Sequence, residues 1–242
     1  MSTYDDLMGP SLDTALWMPA RLPLPSGDEH VPLDPNAEMV VGDGELRIKI
    51  PRFSLSDDTH QSVDSVKHLI LSTRQFEVPA DRAVTFAADL AVANVSGRPA
   101  DFRRGLAAFQ VAELEATKRV FSVCGTTTRV LAMHEQLPGG GTGDPFIHVV
   151  ESPYQDFGDD FTRFRACAIT LDRGSATAVW RVDGRTVYEA NGTFIPERVR
   201  IAAGIFTMLP IRNGRSRCLE GQGIDARWRR FRVPHATRPG TA

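Results

Sequence analysis

Two histidines, His134 and His148, stand at equal distances in sequence from Gly141, the middle of the glycine-rich stretch Gly139 to Gly143. If that stretch closes a hairpin, the two imidazoles face each other across neighbouring strands, with Cβ atoms about 4.5–5.5 Å apart. Paired imidazoles can exchange protons with a substrate near neutral pH, which makes them the first candidates for acid–base chemistry. Phe146 and Val150 share the face of His148, and Ala132 shares that of His134, so the rings would rise from an apolar floor. Burial there lowers a histidine's pKa, and adjacent rings resist double protonation; one neutral and one charged ring could then coexist. Glu135 and Glu151 are secondary catalytic candidates, because strand alternation turns each to the face opposite its histidine. The plain alternative is a pair of hydrogen-bonded or half-exposed structural histidines. No third ligand at H-x-H or H-E-x-x-H spacing accompanies them, so no metal site is expected.

A second polar cluster, Asp57, Asp58, His60, Gln61, Asp64, Lys67 and His68, runs from a turn-rich loop into a strand. Binding residues on β-sandwiches commonly sit on such rims, which makes His60, Asp64, Lys67 and His68 ligand-binding candidates. A solvated loop explains the aspartates equally well. The glycine-rich loop itself lacks the Lys-Ser/Thr ending of a phosphate-cradling loop, which speaks against a nucleotide.

The elements that must position these residues read as β-strands. Phe164 to Leu171 and Ala178, Trp180, Val182 alternate about a turn at Asp172–Ser175, and Asp183-Gly184 then marks a tight hairpin. Leu46, Ile48 and Ile50 alternate after Asp43-Gly44, and Val199, Ile201, Ala203 and Ile205 do so later. Ile224, Ala226 and Trp228 open a last strand, in which Phe231 and Val233 change parity, as a β-bulge would require. About a dozen short strands and no convincing amphipathic helix predict an all-β, two-sheet antiparallel sandwich. Residues 1–242 read as one domain, with a long proline-rich surface loop at 18–38 and a frayed tail at 235–242.

Three motifs carry a resemblance. Tyr4-Asp5-Asp6 with Leu12-Asp13-Thr14-Ala15-Leu16-Trp17, the strand Asp43-Gly44-Glu45-Leu46-Arg47-Ile48, and Trp180-Arg181-Val182-Asp183-Gly184 together resemble the concanavalin A-like lectin/glucanase jelly-roll superfamily. The resemblance implies a jelly-roll sandwich whose W-x-V-D-G strand lies behind a ligand groove. That superfamily includes the family 16 glycoside hydrolases, whose catalytic strand reads E-x-D-x-(x)-E. On that pattern Glu113 would match the nucleophile and Glu115 the supporting carboxylate, while Lys118 stands where the acid belongs. The resemblance therefore implies a ligand-binding role for Glu113 and Glu115, with retained glycanase activity disfavoured. As a whole the chain also resembles uncharacterised actinobacterial proteins of this sandwich type.

Net charge is −2 over 242 residues, and the only basic concentration is Arg227, Arg229, Arg230 and Arg232. One solvated strand face accounts for it, and neither a nucleic-acid nor a membrane partner is expected. Three cysteines at wide spacings argue against a disulfide framework, and with no readable signal peptide the expected location is the cytoplasm. These features predict a cofactor-independent enzyme acting on a small molecule or saccharide by His/Glu acid–base chemistry. The reaction would be that of an isomerase, cyclase, lyase or hydrolase, with specialised metabolism as one setting for it and oligomeric state open. The alternative is a non-catalytic carbohydrate-binding module or a diverged glycoside hydrolase.

Overall fold

A computed structural model describes residues 1–24, 26–141, 143–154 and 161–235. In chain order the strands are β1 (Ser2–Asp5), β2 (Trp17–Pro19), β3 (Leu22–Pro23), β4 (Glu29–His30), β5 (Glu38–Gly42), β6 (Glu45–Ile50), β7 (Val66–Ser72), β8 (Phe76–Glu77) and β9 (Val84–Ser96). There follow β10 (Leu106–Glu113), β11 (Arg119–Gly125), β12 (Val130–Gln136), β13 (Phe146–Glu151), β14 (Arg165–Asp172), β15 (Thr177–Val182), β16 (Arg185–Asn191), β17 (Arg198–Phe206) and β18 (Gly223–Val233). One short helix, α1 (Gln61–Ser65), interrupts the run within the turn-rich segment before β7.

Sheet A has the order β16-β15-β14-β9-β18-β6-β5, with β1 added along β18; sheet B has the order β13-β12-β11-β10-β17-β7-β2, with β8 paired to β17. All these pairings are antiparallel, which gives the expected two-sheet jelly-roll sandwich. Its core lies where alternate residues of both sheets meet: Phe86, Ile169, Trp180 and Trp228 from sheet A, and Phe109, Phe121, Val123, Ile201 and Ala203 from sheet B. No helix among the described residues is long and apolar enough to cross a membrane.

Local chemistry explains the motifs. Asp43-Gly44 and Asp183-Gly184 both take positive φ at each residue, as a hairpin turn with the twist of its strands requires. The opening aspartates anchor the first tryptophan, since Trp17 Nε1 donates to Asp5 Oδ2 at 2.7 Å. The bulge in β18 falls between Arg229 and Arg232, where Arg230 has φ 53°. It turns Arg229, Arg230 and Arg232, all partly exposed, towards the buried Asp89 of β9, so one buried carboxylate anchors this solvated basic face. Residues 18–38 also depart from expectation. They hold the small β3–β4 hairpin, and Ala20 and Leu22 pack against Leu69 and Leu71 of β7. Except for His235, the tail expected to fray lies outside the described residues.

Candidate functional site

The outward face of sheet B is unusual in being built from small side chains. Opposite the core residues, β10 presents Ala108, Gln110 and Ala112 outward; β11 presents Val120, Ser122 and Cys124; β17 presents Arg200, Ala202 and Gly204. Most of these floor residues are buried, although among the described residues the only further sheet is the small β3–β4 hairpin at the β7 side. Larger side chains rise around them and recess the floor. Met18, Leu22, Leu114 and Phe206 pack on the β7 side, and Phe102, Phe206 and Met208 pack over the lower end of β10 to β12. Phe206 can fold over the floor because residue 204 is glycine; a Cβ there would lie 2.5 Å from the phenylalanine ring.

Across this trough the antiparallel register sets one row, Arg200–Ala112–Val120–Glu135–Ile147, beside another, Ala202–Gln110–Ser122–Met133–Val149. A cavity of about 260 Å³ opens at the β7 end, lined by Met18, Leu71, Ala112, Leu114, Glu115 and Arg200 among others. Two strand spacings beyond Ala112, roughly 10 Å along the same row, stands Glu135. Gln110 Nε2 donates to Ser122 Oγ at 2.9 Å on the floor between them.

Glu135 is the reactive feature of this face. It is partly open to solvent yet surrounded by protein, and burial pushes its carboxyl up to about 7. No described residue donates to the carboxylate or forms an ion pair with it. A carboxyl that is half protonated near neutral pH and free of internal partners can give or take a proton from a bound molecule.

The histidines are opposite each other in register, as the spacing about Gly141 predicts, with ring centroids 6.2 Å apart in an edge-on arrangement. Their face, however, is the inner one. His134 stacks on Phe121, lies 5.8 Å from Trp180 and shares a hydrogen bond of 3.0 Å between its Nε2 and Thr193 Oγ1. Burial, helped by the charges of Arg119 and His148, brings its pKa down to about 4, so it is neutral at pH 7. His148 is exposed on the edge strand β13. Strand alternation sends Glu135 and His134 to opposite sides of sheet B, as expected. The consequence is that the carboxylate, the weaker candidate in sequence, is the one that reaches the trough. Glu151 is exposed and paired with Arg129.

The second cluster is not a rim site as a whole. Lys67 and Asp64 are completely buried: Lys67 Nζ donates to Leu55 O at 2.7 Å and lies 2.8 Å from Cys218 Sγ, and Ser216 Oγ donates to Asp64 Oδ1 at 2.7 Å. This network ties the 55–64 segment to the 216–218 loop and presents neither residue to a ligand. His68 is buried with no partner at either ring nitrogen among the described residues, and burial brings it down to about 4. His60 remains partly exposed beside Thr59 and Asp57.

Glu113 is a turn residue. Its carboxylate accepts from the amides of Glu115 at 2.7 Å and Ala116 at 2.9 Å, from the amide of Thr117, and from Thr117 Oγ1 at 2.6 Å. Those donors hold its pKa below the usual carboxylate range against the opposing effect of burial. Glu115 is exposed at the cavity mouth, 3.7 Å from Arg200. The groove face of β10 thus carries Ala108, Gln110 and Ala112 and no acid, so the carboxylate pair of a glycosidase is absent from it. Among the described residues no group of three His, Cys, Asp or Glu could hold a metal ion. Gln110, Ser122 and Arg200 escaped sequence reasoning. The available signal was the run of small residues at alternate positions of β10, β11 and β17, which marks a recessed face rather than a packed one.

Comparison with known proteins fits this geometry. The sequence matches the model of a family of unknown function (DUF6081) over residues 13–237. A search of curated proteins found no match. Among solved structures, the chain is similar to an endo-1,3-β-glucanase from Streptomyces sioyaensis, at 15% identity over 92% of this chain and 94% of that one, with a TM-score of 0.57. It is also similar to a β-1,3-1,4-glucanase from a mouse hindgut metagenome (13% identity, 95% and 97% covered, TM-score 0.54). A family 7 alginate lyase is comparable at 11% identity, with 98% and 100% covered and a TM-score of 0.56. At such identities the likeness establishes the fold, a concanavalin A-like jelly roll, and not the chemistry.

Proposed function

The chain belongs to that family of unknown function, and from this premise we propose that the recessed face of sheet B binds a saccharide or a molecule of similar shape, with Glu135 as its general acid–base. The observation that carries the proposal is the unpaired Glu135 carboxyl at about 7 on a face whose neighbours are small or apolar. A general acid–base works best when its pKa lies near the working pH. The glucanases and the alginate lyase that share this fold act on polysaccharides, which supports a saccharide as ligand class.

Glycoside hydrolysis in its common forms needs two carboxyl groups about 5–9.5 Å apart. With Ala108, Gln110 and Ala112 on the groove face of β10, a second acid is missing, and proton transfer at one centre fits better. Elimination or isomerisation is such a reaction: Glu135 would remove or return the proton, and Gln110, oriented by Ser122 Oγ, would hydrogen-bond a hydroxyl; Arg200 is held at the far end of the row by the carbonyls of Ser72 and Thr73. His134 and His148 lie on the opposite face of the sheet and take no part. The second reading is a binder without turnover, favoured by the same missing acid pair.

The test uses β-1,3-glucan, mixed-linkage β-glucan and alginate oligosaccharides as probes, following binding by calorimetry and product formation by reducing-end and unsaturated-sugar assays. The expected result is turnover that Glu135→Gln lowers by about 100- to 10,000-fold with binding retained. Full activity in Glu135→Gln would overturn the acid–base role. Binding without turnover by the parent protein would make the trough a lectin-like site.

A further inference from the structure

On the inner side of the same sheet, where edge strand β13 packs near edge strand β16, lies a cluster of one arginine and two histidines that the trough does not use. Arg119 of β11 is 6% exposed. Its guanidinium stands 4.9 Å from the ring centroid of Phe146 and 5.9 Å from that of Phe194, with one aromatic ring from β13 and one from the chain after β16. No carboxylate pairs with it and no carbonyl accepts from it among the described residues, and its Nε is buried without a partner. Next to it in the sheet lies His134, its diagonal neighbour on β12, with His148 opposite His134 on β13, and Thr193 Oγ1 bonds His134.

An arginine this far removed from water is ordinarily held by a carboxylate or phosphate, because an unpaired buried charge is costly. The aromatic faces offset part of that cost through cation–π attraction, but they supply no hydrogen-bond acceptor. Burial lowers Arg119, and burial together with the charges of Arg119 and His148 disfavours a proton on His134. Arg119 thus carries its charge without an ion pair: Glu113 lies opposite it in register, but the Glu113 carboxylate is taken up by the amides of its own turn.

We propose that this cluster is a binding site for an oxyanion, the carboxylate, sulfate or phosphate group of an acidic ligand, held by Arg119 and His148 between the rings of Phe146 and Phe194. The planar guanidinium offers a fork of parallel N–H donors to two anion oxygens. His148, exposed at the edge, adds a donor when protonated, and an anion beside it would draw His134 towards protonation as well. The site stands on the opposite face of sheet B from Glu135, so it and the trough can fail independently.

The experiment titrates sulfate, phosphate and acetate separately into the full-length protein, with chloride at equal ionic strength as control. Ring resonances of His134 and His148 are followed by NMR, assigned through His134→Gln and His148→Gln variants, and thermal midpoints are recorded in parallel. Expected are saturable shifts at both rings and a raised midpoint with at least one of the three anions. Response to sulfate and phosphate alone assigns a tetrahedral group, and response to acetate alone assigns a carboxylate. Arg119→Met should abolish the response and, without anion, raise thermal stability by removing the unpaired charge. Arg119→Lys should fold and bind about tenfold more weakly through loss of the fork. The absence of any saturable shift beyond chloride would overturn the proposal, as would an undiminished response in Arg119→Lys or Arg119→Met.

Discussion

Glu135 and His134 are neighbours in sequence, and burial moves them in opposite senses: the carboxyl up to about 7, the imidazole down to about 4. Both shifts favour the neutral form, as desolvation must. For Glu135 this implies a stability cost that function would justify. Its folded pKa exceeds the unfolded value, so the carboxylate destabilises the fold above pH 7 and costs nothing below about 4.5. The expectation is that Glu135→Gln is more stable than the parent by about 1–2 kcal/mol at pH 8, discounted from about 3 for its contact with solvent, with the gain vanishing towards pH 4.5. Denaturant unfolding at the two pH values measures it; a variant less stable at pH 8 would mean that the carboxylate has a partner. The identity of these residues, and their opposite faces, are legible in the chain from strand alternation alone. Which face is open is not, because that depends on Phe206, Met18 and Leu114 arriving from distant segments.

At the scale of elements, the β10–β11 turn shows how a motif can mislead. Glu113-Leu114-Glu115 has the spacing of a catalytic carboxylate pair, but β10 ends at Glu113, and the carboxylate closes the turn that follows. The glycine-rich loop is fastened to that same turn. Gly141 N donates to Ala116 O at 3.1 Å, and Gln136 Nε2 donates to Gly143 O at 3.0 Å. A side chain at residue 140 would collide with Thr117 O, which accounts for glycine there. Loss of the acceptor in Glu113→Ala should cost about 1–2 kcal/mol in denaturant unfolding, since the amides of Thr117 and its neighbours then turn to water. Glu113→Gln, which keeps one acceptor, should retain most stability and any turnover the parent shows. A nucleophile would behave in the reverse way, losing turnover with little loss of stability.

The whole molecule was the most legible scale where pairing is local and the least where it is not. Asp43-Gly44 and Asp183-Gly184 specify their hairpins by turn chemistry, and alternation places Trp180 and Trp228 in the core, where both are fully buried. The pairings β9 with β18 and β10 with β17 join strands at least 85 residues apart and leave no local trace. Those long-range pairings bury His68 and His134 at separate points of sheet B, each brought down to about 4. Their folded pKa lies below the unfolded value of about 6.5, so the unfolded chain binds more protons between the two. The stability that depends on their neutrality is complete above about pH 6.5 and is lost as pH falls towards 4. Glu135 works against this, since its cost disappears over much of the same range. The two histidines outweigh one carboxyl, so the parent should lose about 2 kcal/mol of unfolding free energy between pH 7 and pH 5. Glu135→Gln lacks the opposing group and should lose about 4 kcal/mol over that interval, while replacing His68 by glutamine should flatten the parent's dependence. Urea unfolding at pH 7 and pH 5 for the three proteins measures all of this. Equal stability of the parent at both pH values, with no steepening in Glu135→Gln, would show that the histidines are not held neutral by burial.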